Sequence, residues 1–504
     1  MARAGPARSA TLSAARPPET LPAIAPYNEA MPTRRDLLAL LGAVPASALS
    51  TALPLLSHSQ QSFHHRLLGR TGRWVTPLGL GGQGSLQWTP PGIDPAEIIV
   101  RAVSLGVNYL DTANAYGPSQ ANYGRAFERL RLVPGQPGYN AALRDRLFLN
   151  TKTKARFSRN PAAPDAPTAV AELKRSLSVI FGDGKGSIPD GAYLDSVQIH
   201  NLTTLDEVGQ VYEGYAERGG RMPERIGALA GLLDCRDGTN YTGLNPEHRH
   251  YVRHLGVTGH KSSAVLMNAL RRDAGNVLDT LLVALNANDR RRCAHQNNVL
   301  PVAVAKGMGV IAMKAFADGA IYGKPARWSR QPDDVILSVG KPGRINPASL
   351  VRYPVSLPGV ACLITGIGRV NAGDPADDQL AVNLAAALGD LATEEDRLRI
   401  EMELASHSET DTNYFQDPSA GLVQPSEVRV EKDGDRIRVH WSAALAGAEP
   451  IRSYFIVAGE RPLLSLPCRP QTTLDPLWAT VPAAEAGEAP ISVVASILPP
   501  RPLK

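Results

Sequence analysis

Asp111 and Tyr116 are the residues in this 504-residue chain whose types and spacing could first do chemistry together. They lie in VNYLDTANAYGPSQANYG (107–124), where a short apolar run stops at an acid. A turn at Tyr116-Gly117 follows, and Ser119 then opens a helix-like periodicity. A buried strand ending in Asp111 and a phenol in the next loop point into the same space above the strand. Taken alone, this pair also reads as a buried Asp capping a loop and a Tyr packing a helix. Two further polar groups end later strand-like runs, Lys152 in LFLNTK and His200 in YLDSVQIH. A carboxylate, a phenol, an ammonium and an imidazole at strand ends are suited to proton transfer.

The elements that must position these groups alternate strand and helix eight times across 63–405. Strands are expected at 75–82, 107–113, 147–153, 193–201, 254–260, 280–287, 309–316 and 361–367. Each is a short Val/Ile/Leu-rich run, as parallel strands buried on both faces require. Between them, Asp94-Pro95-Ala96-Glu97 combines an N-cap, a Pro at the first helical position and a capping-box Glu. Leu173, Leu177 and Ile180 mark the apolar face of another helix. The fold class is therefore α/β, a (β/α)8 TIM barrel, with Asp111, Lys152 and His200 at the C-terminal ends of three successive strands. That face carries the active site in barrel enzymes.

With those residues in place, the chain resembles the aldo-keto reductases, whose motif DTAxxYGxSE matches here with Gln120 in place of the usual Glu. The resemblance implies reduction of a carbonyl, with hydride delivered to carbon and a proton to oxygen. Tyr116 would be the general acid, and the base in the oxidative direction. Lys152 would lower the phenol pKa from about 10 and Asp111 would keep Lys152 charged. His200 would donate a hydrogen bond to the substrate oxygen. LLGRTGRWVTPLGL looks like the hairpin that plugs the bottom of such barrels.

The same resemblance implies a nicotinamide dinucleotide, NADP(H) rather than NAD(H). Gly82, in the GxGxxG-like run 79–84, would bring backbone close to the nicotinamide, and Thr258 in GVTGH would hold its carboxamide. Asn286, Lys314 and Phe316 would line the nicotinamide face. Gly366 and Arg369 would line the loop gripping the adenosine phosphate, with Gln379 and Asn383 four apart on one helical face. Thr365 and Val382 replace the family's usual Pro and frequent Glu.

Other stretches frame the barrel. Residues 1–30 read as disordered or as a misplaced start. Residues 31–60 resemble a twin-arginine export signal, with Arg34-Arg35 and an Ala46-Ser47-Ala48 cleavage site, which implies a periplasmic location, or a cytoplasmic one where the signal is not used. Insertions at 155–167 and about 208–250 enlarge two loops. Glu247, His248, His250 and His254 do not have zinc-site spacing, and the four scattered Cys form no CxxC pair, so no metal is expected. A polar linker covers 406–425. Residues 426–504 look like a small fibronectin type III β-sandwich, with a Lys-Asp-Gly hairpin and Trp441 and Tyr454 in its core, which implies contact with a protein or glycan. The 43% hydrophobic fraction suits a sizeable core, and net charge +5 with interspersed signs marks no nucleic-acid surface. The sequence also admits two other classes: a non-catalytic nucleotide-binding barrel acting as sensor or scaffold through its β-sandwich, and a barrel hydrolase. A hydrolase would need a carboxylate pair or metal, and only Asp111 stands at a strand end.

Overall fold

The computed structural model describes residues 65–153, 165–339, 345–407, 412–418 and 421–501. The twin-arginine-like segment and the residues before it lie outside them, as does most of the 155–167 insertion. A hairpin, β1 (Arg66–Leu67) with β2 (Trp74–Val75), opens the fold. Eight parallel strands then close a barrel: β3 (Leu78–Gly84), β4 (Tyr109–Asp111), β5 (Phe148–Thr153), β6 (Leu194–Ile199), β7 (Val252–Gly259), β8 (Thr280–Ala284), β9 (Gly309–Met313) and β10 (Val360–Ile367). Closure comes from β10, which pairs with both β9 and β3.

The expected strands and their connecting helices are present, with ends shifted by a few residues. Asp94 caps the helix Pro95–Ser104 by accepting from Ala96 N, but Glu97 faces Arg129 at 3.9 Å instead of closing a capping box. Leu173, Leu177 and Ile180 are buried on the helix Ala166–Phe181. The hairpin seals the barrel floor. Arg70 N donates to Gly307 O, and a side chain at Gly69 would collide with the backbone of Gly309. Leu68, Tyr109, Phe148, Leu282, Ile311 and Cys362 fill the barrel interior, so it is a packed core and not a pore.

The 208–250 insertion joins the outer helical layer. Its helix Ala228–Asp237 approaches Ala166–Phe181 so closely that a side chain at Gly231 would meet Ala166 at 2.8 Å. His248 and His250 bond the carbonyls of Gly238 and Arg236, His254 bonds Asp279, and Glu247 pairs with Lys174. All four cysteines are free thiols. Among the described residues no helix is long and apolar enough to cross a membrane.

The C-terminal region is all β, two three-stranded antiparallel sheets. One is β11 (Arg429–Asp433), β12 (Arg436–Trp441) and β15 (Leu477–Pro482); the other is β14 (Arg461–Pro467), β13 (Ser453–Ala458) and β16 (Ile491–Ser496). Trp441 and Tyr454 are buried between them with ring centroids 5.7 Å apart. This region docks on the barrel through the helix His295–Ala305. The Asn298 amide donates to Ala446 O at 3.1 Å and accepts from Ala446 N at 2.7 Å. Arg290–Glu449 and Arg271–Gln471 O flank that contact.

Because both backbone groups of Ala446 are buried on Asn298, Asn298→Ala leaves them without partners, at a cost of about 1–3 kcal/mol. Hydrogen exchange should then rise at 444–449 while the barrel strands keep their protection.

Candidate functional site

Register explains how distant residues meet. Asp111 lies opposite Asn150 on β5, and Lys152 is two residues further along the same face. Lys152 in turn lies opposite Gln198 on β6, and His200 is two residues beyond that. All therefore project at the C-terminal mouth of the barrel. Lys152 donates to both Asp111 oxygens at 2.6 Å and to Thr112 O at 2.9 Å. Three acceptors match the three N–H groups of a charged ammonium. Asn150 donates to Asp111 at 2.8 Å, and both members of the pair are 1% exposed.

Tyr116, in the loop after β4, brings its hydroxyl to 3.5 Å from His200 Nε2 with the two rings edge-on. The Lys152 ammonium stands 5.0 Å above the Tyr116 ring. The electrostatics correct the expectation that Lys152 lowers the phenol pKa. Burial, and behind it the Asp111 and Asp318 carboxylates, hold Tyr116 well above the usual value of about 10. The reason is geometric: the Lys152 charge is bonded to Asp111 and lies over the ring face. Burial also lowers Lys152, against the pull of Asp111. The resting phenol is thus a protonated donor.

A cleft opens from this constellation. Its walls run from Gly82, Asp111 and Tyr116, past Lys314 and Phe316, to Gly366, Gln379 and Asn383. A side chain at Gly82 would meet Asp111 O at 2.6 Å and the Tyr116 ring at 3.1 Å, so the wall there has to be bare backbone. Such a glycine-lined trough, with a lysine midway, fits an elongated phosphate-bearing ligand.

Three expected cofactor residues stand apart from the cavity lining. Thr258 is fully buried, and its hydroxyl accepts from Asn201 N at 2.7 Å, fixing the turn after His200. Asn201 has φ 56°, and its side chain bonds His260 at 2.8 Å. Asn286 accepts from Asn413 at 2.9 Å, while its own buried Nδ2 has no partner among the described residues. Arg369 bonds both oxygens of Asp377. Gln379 lines the cavity but is engaged, accepting from Gly368 N and donating to Ile336 O and Ser338 O.

Two features escaped sequence reasoning. After β9, Lys314, Ala317 and Asp318 all have positive φ (65°, 45° and 57°), costing about 1–3 kcal/mol each. That backbone places Asp318 as a hub for Lys314, Lys324, Ser329 and Tyr414. Within the connection to the β region, Thr412–Gln416 docks on the barrel mouth. Gln416 bonds Asp289, and Tyr414 and Phe415 pack with Trp328 and His260. The signal available was the aromatic pair inside an otherwise polar stretch.

The sequence matches the family model described as Aldo/keto reductase family over residues 77–336, a little over half of the chain. The chain belongs to this family. It is 42% identical over 81 residues to D-arabinose 1-dehydrogenase of Saccharomyces cerevisiae, a stretch that is 16% of this chain and 22% of the yeast protein. A holo-form aldo-keto reductase of Bacillus halodurans is 18% identical, covering 68% of this chain and 96% of its own, at TM-score 0.44. An aldo/keto reductase of Klebsiella pneumoniae in complex with NADP and acetate is 17% identical over 68% and 96%, at TM-score 0.40.

The Asp318 carboxylate raises the phenol pKa, so removing its charge must lower it. In a tyrosinate absorbance titration, the component lost on Tyr116→Phe should appear at lower pH in Asp318→Asn than in the wild type.

Proposed function

We propose that this aldo-keto reductase interconverts a carbonyl and an alcohol by hydride transfer with NAD(P)(H), Tyr116 acting as general acid and base. The observation that carries the reading is the convergence of Tyr116, His200, Lys152 and Asp111 at one end of a glycine-lined cavity. A nicotinamide dinucleotide supplies hydride when bound. Gly82, Lys314 and Phe316 would face its reactive end, and Gly366 and Asn383 its adenosine end.

The chain's own residues handle the proton. In reduction, a substrate oxygen between Tyr116 and His200 accepts the Tyr116 proton while the His200 imidazole orients it. In oxidation, Tyr116 must start as phenolate and take the alcohol's proton, and the Lys152 ammonium, 5.0 Å from the Tyr116 ring, is a positive charge that would favour that phenolate. Asp111 holds that ammonium against the cost of burial. Trp328, Tyr414 and Phe415 form an aromatic rim on the same face, and the yeast relative makes aldoses the first substrates to assay.

We further propose that residues 31–60 act as a twin-arginine export signal. The β region, residues 426–504, is read as a fibronectin type III-like module that contacts a protein or glycan. Arg34-Arg35→Lys-Lys should then retain the protein in the cytoplasm. Unchanged export in a strain lacking the twin-arginine translocase would refute the signal.

Tyr116→Phe removes the transferable proton and little volume. It should lower kcat for carbonyl reduction by at least about a hundredfold, with dinucleotide affinity nearly unchanged. Retention of most of the wild-type kcat would exclude Tyr116 as the acid.

A further inference from the structure

Given the nicotinamide reading above, the loop after β10 borders the adenosine end of the cavity. Hydride transfer has to occur beside Tyr116, so the adenosine half must reach the opposite end, where Gly366, Gly368, Gln379 and Asn383 form the wall. Arg369 follows Gly368 directly, and its backbone N–H bonds the cavity-lining Gln379 at 3.3 Å. It is the cation of this loop that a phosphate on the adenosine ribose would need.

Arg369 is already claimed. Its guanidinium bonds both oxygens of Asp377, and Asn371 donates to the same carboxylate at 3.1 Å. Asn371 and Arg369 together hold Asp377 below the usual carboxylate range, so it is ionised at neutral pH. Three neighbouring cations among the described residues are matched in the same way. Arg101 pairs with Asp378 at 3.0 Å, Arg327 with Asp334 at 2.8 Å, and Lys324 with Asp318 at 2.7 Å. Lys341 and Arg344 lie outside the described residues.

Charge balance then discriminates between the two cofactors. A 2′-phosphate is a near-dianion and needs cations with unmatched charge. To reach Arg369 it would have to displace Asp377 and leave that carboxylate beside it. A free ribose 2′-hydroxyl is a donor, and a carboxylate is its natural acceptor. Asp374, Asp377 and Asp378 make the loop acidic besides.

We propose that this reductase selects NAD(H) over NADP(H), with Asp377 as the specificity-determining residue that occupies Arg369 and accepts the ribose hydroxyl. This reverses the preference implied by the family resemblance. The trough and its glycines are common to both nucleotides; the Arg369–Asp377 pair is what separates them.

The test is direct binding, by calorimetry or nicotinamide fluorescence, of NADH and NADPH to the full chain. The wild type should bind NADH at least about tenfold more tightly than NADPH. Asp377→Ala frees Arg369, so NADPH affinity should rise and the gap close, and Arg369→Ala in that background should abolish the gain. Asp377→Asn, which keeps the shape without the charge, should shift the ratio in the same direction. Equal or tighter binding of NADPH by the wild type, or no gain in NADPH affinity on Asp377→Ala, overturns the proposal. Binding of neither nucleotide overturns the cofactor reading and this proposal with it.

Discussion

A carboxylate and an ammonium, each 1% exposed and joined by two contacts of 2.6 Å, sit at the mouth of this barrel. Removing either partner would strand a charge in a low-dielectric interior, at a cost of about 3–5 kcal/mol. Everything around them serves to satisfy them. Asn150 and the Thr112 carbonyl complete their hydrogen bonds, and β4 and β5 must hold their register for the pair to meet. The pair also sets the field at Tyr116. With the ammonium bonded to Asp111, the phenol feels burial and two carboxylates more strongly than it feels the lysine.

The next layer outward consists of segments that could not hold their shape alone. Three non-glycine residues with positive φ follow β9, and such strain persists only where the surroundings over-determine the backbone. Here Asp318 supplies that determination by bonding Lys324, Ser329 and Tyr414 at once. Tyr414 belongs to the connection that leads to the β region, so the site loop and the C-terminal region share a contact. Asn413 and Gln416 extend it to Asn286 and Asp289 at the end of β8. The C-terminal region therefore helps to frame the barrel mouth as well as packing against the helix His295–Ala305.

The far end of the cavity follows a similar logic with opposite consequence. Beside Tyr116 two buried charges, Lys152 and Asp111, are paired with each other. Around Arg369 a half-exposed arginine is paired with the Asp377 carboxylate in the loop beside the cavity. In both places the side chain's role depends on its partner more than on its own type.

The barrel and the meeting of Asp111, Tyr116, Lys152 and His200 at its mouth were legible in the sequence because both depend on short-range rules. Short continuous apolar runs and capped helices mark the βα units, and parallel strands of a barrel must deliver their last residues to one face. Once Asp111, Lys152 and His200 are known to end strands, their convergence follows. Residue type alone, however, could not predict the raised phenol pKa, since that depends on where the Lys152 charge is directed. Nor could it assign Thr258 to the turn after His200, Asn286 to Asn413, or Arg369 to Asp377. Each of those partners lies in a loop whose path is set by tertiary packing, not by periodicity. Thus the sequence by itself determined the barrel and the residues at its strand ends. Only the tertiary structure decided which of the polar groups are already engaged, because hydrogen-bond partners are chosen by distance in space and not along the chain.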